Sequence, residues 1–390
     1  GRECDNVKLR IEKNSFIKSW QMAERNTSAT STLSVLSGIR CLADGNSIIL
    51  QATDLKTSVT CRAAGVTVEE PGEVVFPIKV VGELFKKVPA DTFVVDVQAG
   101  KATLTAEKSR YRFTTYPVEE FPRLPVSSAA RVLFDSSVGD IQRLLDEGTF
   151  AGSPNEEFPQ YLGTALFQVA GTLVKVVSTD GRRLSLSVAD VPQSENPEES
   201  RILLPLKGLN ELKRVLGTMD DQAPVRVLVD DSQAYFQFEG VEFSIRRVDS
   251  TFPPYEKILT KNRTTWMTID RMAFVSALER AEVVVRDFSR MVVMNLAPGG
   301  NLNISARAPE VGTAAEELDA DIDGESLRIA FNARYLMEGL KALHGSLAHL
   351  CFNGPNGQMS LSRPGEENFL YVLMPITLPD EEPPAGEDAL

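Results

Sequence analysis

The sequence predicts an α+β fold made of three tandem copies of one domain, each with two helices packed on antiparallel sheets. Three observations carry that prediction. One block recurs about every 127 residues, each copy has a strand–helix–strand order, and glycine-centred hairpin turns fall at matching places. The clearest piece of the block is a short strand, a turn residue and a helix, then two strands closing on an aromatic–proline pair. It reads VVFPIKVVGELFKKVP from Val74 and closes at Phe121-Pro122; the second copy reads ILLPLKGLNELKRVL from Ile202 and closes at Phe252-Pro253. The third reads LRIAFNARYLMEGLKAL from Leu327 and ends at Tyr371–Pro375. Pro77, Pro205 and Asn332 occupy equivalent places, 128 and 127 residues apart. A unit this long buries its own core, so the period marks whole domains and not a solenoid.

The first half of each copy repeats as well. Strand-then-helix openings stand at Val7–Ile11 and Phe16–Arg25, at Val132–Phe134 and Val138–Leu145, and at Trp266–Ile269 and Met272–Glu279. A strand pair follows each helix. Leu166–Val169 and Leu173–Ser178 flank Ala170-Gly171-Thr172, with the alternation and turn glycine of a hairpin. Asp44-Gly45-Asn46 and Pro298-Gly299-Gly300 mark the same turn in the other copies. Each domain therefore reads as two β-α-β-β-β halves. The boundaries expected are 1–127, 128–261 and 262–378, with proline-containing linkers at Pro122–Ser128 and Pro253–Asn262. Ser194–Ser200 (SENPEES) is expected to be an acidic surface loop. Residues 379–390 (PDEEPPAGEDAL), with five acids and three prolines, are expected to be a disordered acidic tail.

Composition narrows the function classes. A chain of 390 residues allows two to four domains, and 43% hydrophobic content suffices for a core in each. The longest apolar runs, such as Val74–Ile78, are strand-sized and far from the ~20 residues of a membrane helix. The opening GRECDNVKLR has no apolar signal-peptide core. Cys4, Cys41, Cys61 and Cys351 form no C-x-x-C pair, which suits free thiols in a reducing cytoplasm. The two histidines, His344 and His349, lie five residues apart without further ligands at metal spacing, so neither metal nor cofactor is expected. Asp180 sits in Thr-Asp-Gly, an ordinary turn. No P-loop, G-x-G-x-x-G or G-x-S-x-G occurs, and an enzyme is not expected. The net charge of −13 argues against nucleic acid, but the helices of the repeat are locally basic: Lys79, Lys86 and Lys87; Lys207, Lys213 and Arg214; Arg334 and Lys341. Lys13, Lys18, Arg25, Arg143, Arg271 and Arg280 add charge from the earlier helices. No base-reading motif accompanies them, which fits sequence-blind contact.

VVSTDGRRL at Val176–Leu184, FPPYEKI from Phe252 and YVLMPITL from Tyr371, in that order over a triple repeat spanning residues 7–378, resemble the bacterial DNA polymerase III β subunits, the sliding clamps. The resemblance implies a non-catalytic processivity factor, each chain forming half of a six-domain ring. Two head-to-tail protomers would close that ring around duplex DNA without sequence preference. The implied partners are the polymerase III α subunit, an ATP-driven clamp loader, and other polymerases and repair proteins bound through short linear motifs. The implied place is the bacterial cytoplasm at the nucleoid, with no membrane partner. A ring scaffold that does not hold DNA is the alternative reading of the same repeat.

Residue by residue, the resemblance assigns Lys79 and Lys207 to face DNA, and Tyr161 to a loop touching it. It assigns a partner cleft to Leu162, Thr179, Gly181, Arg182, Arg183, Leu184, Pro253, Lys257 and Ile258, with Asn332, Tyr335, Val372, Leu373, Met374, Pro375 and Ile376. Leu, Ile, Val and Met make an apolar slot, Met supplying adaptability for varied partners. Gly181 permits a turn that brings Arg183 and Leu184 to the rim. The period-two alternation of YVLMPI is also what a plain core strand would give. Arg182 stands where the family usually has His, Lys257 where Arg is common, and Thr377 where a basic residue is frequent. The segment 379–390 extends past the usual end near Leu378 and is expected beside the cleft, screening Arg182 and Arg183. Arg110-Tyr111-Arg112-Phe113 alternates basic and aromatic, as an edge strand does. The resemblance pairs Tyr111 and Phe113 with a second copy around Val283, Val284 and the strand Met291–Leu296. A heterologous contact closes or polymerises, and six like domains turning about 60° each close a ring.

Overall fold

The computed structural model describes residues 6–28, 31–45, 47–192, 198–259 and 261–378. The tail 379–390, Cys4 and Ser194–Pro197 of the acidic loop lie outside the described residues. Among the described residues there are seven α-helices: α1 (Lys13–Glu24), α2 (Ile78–Lys87), α3 (Val138–Gly148), α4 (Leu206–Leu216), α5 (Tyr255–Ile258), α6 (Arg271–Val285) and α7 (Ala333–Ala342). All but α5 stand directly after a strand, at the predicted places; α5 is a single turn inside the predicted linker. The β-α-β-β-β halves are present, with one added strand in the first copy (Val66–Glu70) and one in the third (Asp321–Gly324). No described helix is long and apolar enough to cross a membrane.

Local chemistry sets the helix starts. Pro77 is the N-cap of α2, with φ −70° fixed by its ring. Asn332, its counterpart, caps α7 differently, its side chain accepting from the Tyr335 N–H at 3.2 Å. On α2, Val81 and Phe85 are buried four residues apart while Lys79, Val80 and Lys87 face water.

The chain forms two compact units. The first comprises residues up to Gln142 with Lys207–Val248; the second comprises Arg143–Asp190, Glu198–Leu206 and residues from Asp249 on. In the first unit, a five-stranded sheet runs Val66–Glu70, Val7–Glu12, Thr92–Gln98, Lys101–Ala106, Ser109–Thr114. Trp20 of α1 and Phe85 of α2 meet edge-on at 5.2 Å, with Phe16, Phe76 and Phe93 around them. An eight-stranded sheet mixes two copies of the repeat, because Val241–Arg246 pairs with Thr57–Arg62.

The second unit repeats the device. A nine-stranded sheet joins strands of the second and third copies where Arg183–Asp190 pairs with Phe369–Leu373, Leu184 opposite Val372. A four-stranded sheet runs Gly312–Asp319, Asn301–Ala308, Met291–Leu296, Leu327–Asn332. Helices α6 and α7 bury Phe274, Leu278, Leu336 and Leu340 in the core of this unit. Gly339 lets α7 close onto the junction strand, since a Cβ there would lie 2.3 Å from the Tyr371 ring.

Candidate functional site

The sequence Thr179-Asp180-Gly181 builds a tight turn at the end of a strand. Gly181 takes φ +88°, a conformation costly for residues with a Cβ. The Asp180 carboxylate accepts from the N–H groups of Arg182 (2.9 Å) and Arg183 (3.0 Å). The Thr179 hydroxyl donates to the Arg183 carbonyl at 2.6 Å and accepts from the Gly181 N–H at 3.1 Å. The Met374 N–H donates to the Arg182 carbonyl at 2.9 Å, tying the turn to the strand that ends at Leu373.

Alternation along that strand decides which side chains are available. Tyr371 and Leu373 point into the core of the second unit; Val372 and Met374 point the other way, Met374 being 41% exposed. With Leu184 opposite Val372, they floor a cleft of ≈ 250 Å3. Of the residues predicted to line it, Thr179, Gly181, Arg182, Arg183, Leu184, Pro253, Ile258, Val372 and Met374 do so. Leu162, Lys257, Asn332, Tyr335, Leu373, Pro375 and Ile376 lie outside the lining. Their placement explains this: Leu373 is buried on the opposite face, Asn332 caps α7, and Ile376 donates to the Ala330 carbonyl at 2.8 Å. The lining also contains Phe252, Tyr255, Leu259 and Gln358, which the residue-by-residue reading missed although FPPYEKI carried the first two. Tyr161, assigned to DNA, stands on the cleft wall with its ring edge-on to Phe252 at 5.9 Å. The Tyr255 hydroxyl donates to Gln168 at 2.5 Å, and burial pushes its phenol up.

Arg183 is not a rim group, contrary to expectation. Its side chain is 8% exposed, bound to Asp180 at 3.0 Å and to Glu338, with the guanidinium 4.2 Å above the Tyr335 ring. Burial alone would lower its pKa, but the Tyr371 hydroxyl and the Glu338 carboxylate raise it well above its ordinary value. A fork committed to two carboxylates and an aromatic face braces the cleft floor. The exposed cation at the rim is Arg182.

The helix lysines divide. Lys79 and Lys207 are exposed in the first turns of α2 and α4, with no ion pair among the described residues. Others of the basic set are neutralised: Lys86 by Glu24 (3.2 Å), Lys87 by Glu83 (2.9 Å), Arg214 by Glu211 (3.2 Å) and Lys341 by Glu279 (3.2 Å).

Ser109–Thr114 is an edge strand of its sheet, with Tyr111 and Phe113 half-buried and Arg110 and Arg112 exposed. Val283 is 60% exposed on α6, and Val284 packs against the core. The strand Met291–Leu296 cannot accept a further strand, because Asn301–Ala308 and Leu327–Asn332 occupy both its sides. The edges of that sheet are Leu327–Asn332 and Gly312–Asp319, the latter carrying Glu316, Glu317 and Asp319. The resemblance pointed to the interior strand, whose place in the sheet order no local pattern of the sequence reports.

Three family models match the chain: the N-terminal domain of the DNA polymerase III beta subunit over residues 7–125, its central domain over 138–254 and its C-terminal domain over 256–377. The beta sliding clamp of Pseudomonas putida is 28% identical over 369 residues, covering 94% of this chain and 99% of the relative. That of Bacillus subtilis is 26% identical over 383 residues, covering 95% and 99%. Among solved structures, a DNA polymerase III subunit beta from Pseudomonas aeruginosa superposes with TM-score 0.88 at 26% identity, covering 95% of this chain and 100% of that one. A B. subtilis DNA polymerase sliding clamp gives TM-score 0.91 at 24% identity, covering 96% and 100%.

Proposed function

Because this chain belongs to the DNA polymerase III β-subunit family, the beta sliding clamps, we propose that it is a non-catalytic processivity factor that encircles duplex DNA and tethers a polymerase to it. Three clamp domains, with boundaries at 1–127, 128–261 and 262–378, make half of a six-domain ring. Partners engage the cleft floored by Leu184, Val372 and Met374 through short apolar motifs. These partners include the polymerase III α subunit, an ATP-driven loader, and other polymerases and repair proteins, all in the bacterial cytoplasm. The observation that carries the reading is the outward alternation of Val372 and Met374 beside Leu184, on a floor braced by a buried arginine. Met374 is left exposed at 41% over the buried Leu184 and Val372, and an apolar floor of this kind in a concave slot is what a peptide-anchoring site requires. Lys79 and Lys207, exposed and with no ion pair among the described residues, are the sites proposed to meet phosphates; contact of this kind is weak and salt-sensitive, as sliding demands.

Ring closure uses two edge strands of opposite charge. Ser109–Thr114 brings Arg110 and Arg112, and Gly312–Asp319 of a second copy brings Glu317 and Asp319. Adding one strand to the other continues a sheet across the protomers. Tyr111, Phe113, Val283 and Val284 supply the apolar flank.

The cleft is tested by fluorescence anisotropy of a labelled Gln-x-x-Leu-Phe peptide with the intact chain and with a Met374→Ala, Leu184→Ala variant. Saturable binding in the micromolar range, lost in the variant, is expected. Equal binding by both proteins would refute the assignment.

A further inference from the structure

We infer that residues 379–390 are an intramolecular ligand of the cleft rim, an acidic segment that competes with partner peptides; the inference rests on the cleft reading above. One exposed cation lines the cleft, Arg182 on the turn, and a second, Lys257 on α5, stands outside the lining next in sequence to Ile258, which belongs to it; neither has a carboxylate partner among the described residues. The nearby acids are committed. Asp180 and Glu338 hold Arg183, and Glu256 accepts from Gln168 at 3.2 Å and lies 3.7 Å from Arg201. The rim therefore presents positive charge over an apolar slot, and it fits an acidic segment better than a neutral one.

The chain itself supplies such a segment at that place. Met374 is held to the Arg182 carbonyl at 2.9 Å, and Leu378 follows four residues later, at most about 14 Å away along the backbone. Beyond it the sequence PDEEPPAGEDAL carries Asp380, Glu381, Glu382, Glu387 and Asp388 and no basic residue. Twelve residues extend at most about 40 Å, ample for a return to Arg182 and Lys257. A tether this short holds the acids near the rim at roughly millimolar effective concentration. Exposed pairs are individually weak and are screened within about 10 Å at 0.1 M salt, so the competition is modest and salt-dependent.

The test compares the intact chain, a chain ending at Leu378, and an intact chain with the five acids changed to their amides. Two readouts are taken at low salt and at high salt: the Met374 methyl resonance, and affinity for an uncharged Gln-Ala-Ala-Leu-Phe peptide. At low salt, the Met374 signal is expected to differ between intact and shortened chains. The shortened and neutralised chains should bind the peptide about two- to fivefold more tightly, a gap that closes at high salt. Coincident Met374 signals with equal peptide affinities would overturn the inference and leave the cleft intact. A Met374 difference with no peptide binding by any chain would uphold the tail contact and refute the peptide cleft instead.

Discussion

Leu55 and Gly181 occupy the same place in two copies of one turn. Thr53 and Asp54 make the hydrogen bonds that Thr179 and Asp180 make, the Lys56 and Thr57 N–H groups donating to Asp54 at 2.8 and 2.7 Å. Both central residues take positive φ, +76° at Leu55 and +88° at Gly181. A side chain there costs roughly 1–2 kcal/mol, offset in part by the greater unfolded-chain entropy of glycine. Leu55→Gly should therefore raise unfolding free energy by up to about 1 kcal/mol, and Gly181→Ala should lower it by about 1 kcal/mol or more, both read by denaturant melts. Glu147 and Arg363 form a pair at 2.7 Å with both side chains 4% exposed, and Arg143 adds a second cation. Glu147→Ala takes from buried Arg363 one of its two carboxylates, Glu366 remaining at 2.5 Å, and should cost about 1–3 kcal/mol, measured the same way. Burial pushes the Cys41 and Cys61 thiols up to about 12. Neither should react with a disulfide reagent at pH 8 until the chain unfolds, whereas half-exposed Cys351 should react in the native state; peptide mapping of the labelled thiols checks this.

At the scale of elements, strands and helices were legible and their long-range pairing was not. The period of about 127 residues and the hairpin glycines placed six helices and most strands because both signals are local. The alternation of Tyr371–Met374 held the answer to which side chains face the cleft, but not which direction was the core. That depends on α7 closing on Tyr371 through Gly339, a contact between residues 32 apart in the chain. Arg183 reads from sequence as a solvated rim charge, because its partners Glu338 and Tyr371 come from distant elements. The two sheet junctions share one hydrogen-bond plan, Met374 N–H to the Arg182 carbonyl and Arg246 N–H to the Lys56 carbonyl, each at 2.9 Å. Where the second junction has Leu184 opposite Val372, the first has Ser58 opposite Ser244. Duplication thus produced two equivalent places, and side-chain polarity leaves the apolar floor at only one. The edge strands give a further prediction. Tyr111→Lys with Phe113→Glu should convert the proposed dimer to monomers on sedimentation; a persistent dimer would place the contact elsewhere.

For the whole molecule, the proposed function turns on topology and not on affinity. A net charge of −13, with few helix lysines such as Lys79 and Lys207 exposed without an ion pair among the described residues, gives little grip on phosphate, so an open surface would release DNA as salt rises. A closed ring would not, since escape requires a free end or an opened interface. The measurement that separates the two uses a linear duplex with biotin at both ends, incubated with the protein and then gel-filtered at high salt. Streptavidin is added either before or after the protein. The account predicts protein co-eluting with DNA only when the ends are blocked afterwards, trapping rings already threaded. Equal retention in both orders, or none in either, would contradict it.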